Sequence, residues 1–201
     1  EARTPSIANY NLKFNSKKNK IYFGIKDIKS LTGVTGDKLV TAIDDTEKEL
    51  NKKIHKLTWV EILLFLSPKI NSTAFKALSS IGFFRDFNGK ISRNRAMYEH
   101  DIYRLLTKAE LKWLQNNYKD RKWETFCDAL KDLAPVKKKG GGTSKIERQQ
   151  IIENEINLLL NPPYDLEDTP NWIIDQETRF LGCPITLSKI DTSDTSAANT
   201  T

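Results

Sequence analysis

Arginines and glycines carry most of the chemistry this chain offers. In Lys90-Ile91-Ser92-Arg93-Asn94-Arg95, two arginines stand at the expected start of a helix, behind a glycine-containing loop. A cation at a helix N-terminus opposes the macrodipole, so local stability does not favour it there. Two readings fit: an anionic partner such as a phosphate, held by planar guanidinium groups, or two solvated surface side chains. A second candidate is Gly33-Val34-Thr35-Gly36, flanked by Lys29 and Lys38. It resembles the turn of a helix-hairpin-helix, in which glycines let the backbone approach a phosphate and the second helix points its positive end at it. Such a contact reads charge and shape, not base sequence. The usual hairpin has one residue between its glycines and this one has two; the other reading is a turn that merely lets two helices pack.

The remaining reactive residue types are less informative. Asp44 and Asp45 are neighbours on one helix, so their side chains diverge by about 100° and do not form the convergent carboxylates of two-metal phosphoryl transfer. His55 and His100 lack companions at ligand spacing, which favours surface or packing roles. Cys127 and Cys183 are the only cysteines, far apart and outside any C-x-x-C pair, which argues against a disulfide framework or a zinc module and for a reducing cytoplasm. The P-loop and G-x-S-x-G patterns are missing, so the commonest nucleotide-hydrolase and serine-hydrolase readings drop out. Trp59, Trp113, Trp123 and Trp172 fall at helical apolar positions or near a helix start, where core packing outweighs base stacking.

The elements that position these residues are mostly helices. Capping boxes at Thr58/Glu61, Thr107/Glu110 and Ser144/Glu147, with caps at Asn71 and Ser92, predict helices over about 58–66, 71–81, 92–106, 107–117 and 144–160. A further helix is expected near 121–133, two more on either side of the glycine turn, and a short one over 175–181 closed by Gly182. Tyr10, Leu12 and Phe14, then a polar turn, then Ile21 and Phe23 predict a β-hairpin. The fold class expected is mainly α, a multi-helical domain with a small N-terminal hairpin, in which Leu39, Ile43, Phe65, Leu78, Phe84, Leu105, Trp113 and Leu130 are buried. The expected organisation is a hairpin over 1–24, a helical core over 25–133, a flexible basic and glycine-rich linker over 134–143, a distal helical part over 144–189 and a disordered tail over 190–201.

Lysine and arginine number 32 against 26 acidic residues among 201, a formal charge of +6, which favours a polyanionic partner. No apolar run reaches the roughly 20 residues needed to span a bilayer, so no membrane partner is expected. A start at Glu1 and a Ser/Thr/Ala-rich end read as a piece of a longer polypeptide.

The order of features resembles a known family. Lys20-Ile21-Tyr22-Phe23-Gly24-Ile25 is similar to the I-x-[YF]-G-[LI] strand end of the bacterial C-family DNA polymerase III alpha subunit, which leads into a helix ending A-I-K-G-V-G. Residues 69–84, Lys-Ile-Asn-Ser-Thr-Ala-Phe-Lys-Ala-Leu-Ser-Ser-Ile-Gly-Phe-Phe, resemble its L-N-[RK]-[RK]-x-x-E-x-L-I-x-x-G-A-F-D. Arg93 or Arg95 takes the place of an arginine that opens the next helix. Glu177-Thr178-Arg179-Phe180-Leu181-Gly182 is similar to the E-x-x-x-L-G before the family's H-P.

The resemblance implies the fingers region of a replicative DNA-directed DNA polymerase, of bacterial or phage type. It implies primer-template DNA, deoxynucleoside triphosphates and the palm and thumb domains as partners. It implies no catalytic residue, metal or cofactor in this stretch, Mg2+ being expected in the palm. Ser72 and Thr73 stand where the family has a basic pair that handles the incoming nucleotide, and Lys69 and Lys76 are the nearby substitutes. Arg85 replaces an acidic residue, and Gly182-Cys183-Pro184 lacks the family's histidine. The contact residues expected are therefore Lys29, Gly33, Gly36, Lys38, Lys69, Lys76, Arg93 and Arg95. The other reading the residues allow is a stand-alone helical nucleic-acid-binding protein, or a helical module with no nucleic-acid role.

Overall fold

Ile25, Ile28 and Leu31 are spaced three apart, and all three are fully buried. That is the period of a 3₁₀-helix rather than an α-helix, and a single 3₁₀ turn forms at Ile25–Asp27. The computed structural model describes residues 2–17, 19–86, 91–138 and 143–186. The first arm of the expected helix pair is thus this one turn, because the stretch between Gly24 and Gly33 is too short to offset the cost of nucleating a helix. Before it lies a small sheet. Strands β2 (Asn15–Lys17) and β3 (Lys20–Tyr22) pair antiparallel with Ser16 opposite Ile21, and β1 (Ala2–Arg3) joins the other edge of β3 in parallel. The hairpin turns later than the apolar alternation suggested. Asn19 supplies the left-handed residue of the turn, at φ 59°, a conformation asparagine tolerates.

Eight α-helices follow among the described residues. Helix α1 (Val34–Leu50) is stopped by Asn51 in the left-handed conformation, and α2 (Trp59–Glu61) starts on the Thr58/Glu61 capping box. It continues as a π-helical segment (Ile62–Leu66) whose five apolar residues are all buried, then as a 3₁₀ turn (Ser67–Lys69). Pro68 has no N–H to return to the Leu64 carbonyl. The Gln115 side-chain amide donates to that carbonyl instead, at 2.6 Å, and the Thr46 hydroxyl donates to the Phe65 carbonyl at 3.2 Å, so the irregular backbone keeps its partners.

Helix α3 (Ser72–Ser80) is capped by Asn71, α4 (Arg93–Tyr103) by Ser92, and α5 (Lys108–Arg121) by the Thr107/Glu110 box. Helix α6 (Phe126–Lys138) runs through Pro135 into the expected linker, and α7 (Thr143–Leu160) resumes after it. The α6 and α7 helices pack against each other. Residues 139–142, the side chains of Lys137, Lys138 and Ser144, and the expected tail 190–201 lie outside the described residues.

Helix α8 (Pro170–Leu181) begins five residues earlier than its apolar spacing suggests, because Thr169 caps it and Pro170 fills its first turn. Proline at that position costs nothing, since the missing N–H has no helical acceptor there.

The core centres on an aromatic cluster in which Phe75 stacks on His100 at 3.9 Å and packs on Phe84 at 5.0 Å, with Trp59 against both Phe75 and Phe84. Leu39, Ile43, Phe65, Leu78, Phe84 and Leu130 are buried as expected; Leu105 is 53% exposed and Leu106 is buried in its place, while Trp113 is half-buried beside a buried Leu114. Among the described residues no helix is long and apolar enough to cross a membrane.

Candidate nucleic-acid and nucleotide interface

The two arginines at the start of α4 turn inward. Arg93 is 8% exposed. Its guanidinium donates to the Ser80 carbonyl at 2.9 Å, to Glu177 Oε1 at 3.0 Å and to the Thr186 hydroxyl at 3.3 Å. Arg95 donates from Nε to Glu99 at 2.5 Å and from its terminal nitrogen to the Leu159 carbonyl at 3.0 Å. The free amides of the helix start are also taken: Asp168 accepts from the N–H groups of Arg93 and Asn94 at 2.7 and 3.0 Å. The anions that explain cations at this N-terminus are therefore internal carboxylates, and no phosphate is needed to account for them.

Glu177, on α8, is fully buried. Besides Arg93 it accepts from the Ile185 and Thr186 amides at 2.6 and 2.7 Å and from the Thr186 hydroxyl. Burial alone would raise its pKa, but the Thr186 hydroxyl and amide, the Ile185 amide and Arg93 together hold it below the ordinary value. Gly82 completes the arrangement. It has φ +75°, and a Cβ there would lie 2.9 Å from Arg93 Nε, so only glycine both adopts the turn and leaves room for the guanidinium. Arg85, three residues on, donates to the Thr4 hydroxyl and, at 3.1 Å, to the Thr4 carbonyl, tying the N-terminal segment to the end of α3.

Gly33 is the N-cap of α1 at φ 60°, whereas Gly36 lies inside the first turn. A Cβ at Gly36 would meet the Leu31 carbonyl at 2.8 Å. This glycine is thus required by packing against the preceding turn. Lys38, on the same turn, is exposed and makes no ion pair among the described residues. Lys29 is exposed likewise, and its backbone N–H donates to the Phe180 carbonyl at 3.0 Å, which fastens this loop to the end of α8.

Two clefts flank the first turn of α3. The smaller, about 360 Å³, is lined by Thr35 and Lys38 from α1 and by Lys69, Ile70 and Asn71. Lys69 is partly engaged here, at 2.7 Å from Glu49 and 3.1 Å from the Thr46 hydroxyl. The larger, about 530 Å³, lies between α3, α4 and α8, with Ser72, Thr73 and Lys76 on one side and Trp172, Gln176 and Arg179 on the other. Lys76 pairs with Asp101 at 2.9 Å, both half-exposed, a contact of small net stability. A third depression, at the C-terminal end of α1, is lined by Asp44, Glu47, Lys48 and Lys53, whose opposite charges select no ligand.

The structure therefore brings Lys38 and Lys69 to one cleft and Lys76 to the other, while Lys29 lines neither and precedes Ser30, which lines the second. It withdraws Arg93 and Arg95 from both. Trp172, expected to pack in the core, instead lines the larger cleft half-buried; the residues that sequence reasoning passed over are Arg179, Glu177 and Asp168, the last two being the anions that hold α8 and its approach. Their signal was Thr169-Pro170, an N-cap followed by proline. It would have started the helix early enough to put Trp172, Gln176 and Arg179 on one face at i, i+4 and i+7. The chain matches no protein-family model, no curated protein and no solved structure.

Proposed function

We propose that this chain is the fingers region of a replicative DNA polymerase of the C family, a cytoplasmic enzyme, and that the face around the start of α3 holds primer-template DNA and the incoming deoxynucleoside triphosphate. One observation carries the reading: sequence landmarks that lie far apart meet at a single buried contact. The glycine of the Gly82-Phe83-Phe84 turn makes room for Arg93, the arginine that opens the next helix, and Arg93 pairs with Glu177, the acidic residue of the Glu177 to Gly182 stretch. A chance likeness of three short motifs has no reason to converge this way. The contact also fixes α8 beside α3, and so forms the larger cleft at Ser72 and Thr73, where the resembled family handles its nucleotide.

On this reading the chain contributes positioning and charge neutralisation, which supply most of the catalytic effect in phosphoryl transfer. The acidic residues and Mg2+ belong to the palm, and palm and thumb are the partners of this region. The larger cleft serves the triphosphate. Lys38 and Lys69 in the smaller one serve a nucleic-acid backbone, together with the exposed Lys29.

The test is to incubate the purified chain with Mg2+, a primer-template and all four deoxynucleotides, and to measure binding and extension together. The reading expects salt-dependent binding of primer-template without extension. Template-directed extension contradicts the assignment of catalysis to a palm, and absence of any DNA or nucleotide binding at low salt contradicts the fingers assignment.

A further inference from the structure

The larger cleft poses a chemical question that the family resemblance leaves open, because Ser72 and Thr73 cannot supply the charge of a basic pair. Its lining answers in three parts. First, Arg179 comes from α8, more than a hundred residues along the chain from Ser72, and stands on the cleft wall facing α3. It is exposed and makes no ion pair among the described residues, its guanidinium lying 5.2 Å from the centre of the adjacent Phe180 ring. That distinguishes it from Arg93 and Arg95, whose charges are consumed internally. Second, Trp172 lies seven residues before it on the same helix face and lines the same cleft, half-buried, with no hydrogen bond from its indole N–H among the described residues. A half-buried tryptophan with an unspent donor offers a flat surface and a polar edge. Third, the side chains of Ser30, Ser72, Thr73 and Gln176 line the cleft, and none has a hydrogen-bond partner among the described residues. A volume of about 530 Å³ falls within the range of small-molecule sites.

We infer that, in the triphosphate cleft of the fingers reading, Arg179 and Lys76 hold the phosphates from opposite walls and Trp172 is the platform for the base. This rests on that reading and adds to it. The cation that the α3 motif lacks is supplied by α8, so this chain's charge has moved across the cleft rather than been lost. Guanidinium suits the place, since its planar fork can take two phosphate oxygens at once. Lys76, partly neutralised by Asp101, adds a point charge. The Arg93–Glu177 contact is then a positioning device: it sets the helix that carries Arg179 and Trp172 and touches no ligand.

Calorimetric titration of the full chain separates the parts, with deoxyadenosine triphosphate and inorganic tripolyphosphate as the two probes. Arg179→Ala should weaken both probes about tenfold or more with an unchanged melting temperature. Arg121→Ala, an exposed arginine paired with Asp132 on α6, is the charge-matched control and should leave both nearly unchanged. Trp172→Ala should weaken the nucleotide about fivefold or more and leave tripolyphosphate as it was; Trp172→Phe should recover most of the loss if the alanine variant is poorly folded. Equal effects of Arg179→Ala and Arg121→Ala overturn the role of Arg179, and a nucleotide that binds no tighter than tripolyphosphate overturns that of Trp172. In both cases DNA binding by the chain would leave the fingers reading standing. Failure of both probes and of primer-template to bind overturns the two together.

Discussion

The start of α4 and the face around the start of α3 both carry cations, and the two places use them differently. At α4 the arginines are spent on Glu177, Glu99 and backbone carbonyls, and Asp168 takes the helix amides. At α3 the cations line open clefts, and Lys38 and Arg179 make no ion pair among the described residues. The first region is an internal joint between distant segments. The second has charge left over for a ligand. An arginine at a helix entrance is thus as good a sign of a fold-holding contact as of a phosphate site, and what separates the two is whether a carboxylate elsewhere in the chain reaches it.

The comparison breaks most visibly at the joint. Arg93→Ala or Glu177→Ala leaves a buried charge without its partner and should lower stability by about 3–5 kcal/mol, read from denaturant unfolding. Replacing both with apolar residues of similar volume should cost much less than the sum of the single losses. If each single variant melts like the parent, the joint is not what holds α8.

Acid should act on the buried side as well. His100 is 2% exposed; burial lowers its pKa to about 4, with Arg104 and Lys76 adding to the effect and Asp101 opposing it. The unfolded chain binds this proton below about pH 6.5, the folded one only below about 4. Stability is therefore complete above pH 6.5 and falls as pH drops from 6.5 to 4, by roughly 2–3 kcal/mol. Glu110 continues the decline. Burial would raise its carboxyl, but Arg148, which donates to both its oxygens at 2.7–2.8 Å, and the Thr107 amide and hydroxyl hold it at about 2. Its contribution is present above about pH 4.5 and is lost as pH falls towards 2. His100→Phe should flatten the slope between pH 6.5 and 4 and leave the lower part; an unchanged slope would show that the imidazole is not its source.

Gly82→Ala should cost about 1–3 kcal/mol, since it combines a positive φ with a Cβ 2.9 Å from Arg93 Nε, and a neutral result would mean the guanidinium can shift without loss. Arg95, 30% exposed in its side chain, should give the smallest change: Arg95→Ala is expected to lower stability by about 1 kcal/mol and to leave affinity for primer-template unaltered. A loss of binding there would return the α4 entrance to the interface.

Much of the fold was legible because its signals are local. The capping boxes at Thr58 and Thr107 and the caps at Asn71 and Ser92 open the helices they predict, since the side chain that caps and the amide it satisfies lie three residues apart. The π-helical run at Ile62–Leu66 was legible as helix but not as π, because its form depends on Gln115 and Thr46 from other helices. The placement of the candidate residues was legible in part. Lys38, Lys69 and Lys76 line clefts; Glu99, the partner of Arg95, lies four residues on and is a pair the sequence could have shown, whereas Glu177, the partner of Arg93, comes from 84 residues away and could not be read locally. The only local signal for Arg179 is the Thr169-Pro170 helix start, which puts it on one face with Trp172 and Gln176. Arg179 becomes a candidate only when α8 is laid against α3, which is a fact of tertiary structure.

The most direct test sets Arg93→Ala beside Arg179→Ala in one experiment, with melting temperature and affinity for a primer-template with its matching deoxynucleoside triphosphate measured on the same preparations. The account predicts that Arg179→Ala loses affinity about tenfold at unchanged melting temperature, and that Arg93→Ala lowers the melting temperature by several degrees or more. Under conditions where Arg93→Ala is still folded, its affinity should fall less than that of Arg179→Ala. A folded Arg93→Ala that loses affinity as the parent's melting temperature is retained, beside an Arg179→Ala that binds like the parent, would contradict the division between an internal joint and an open cleft.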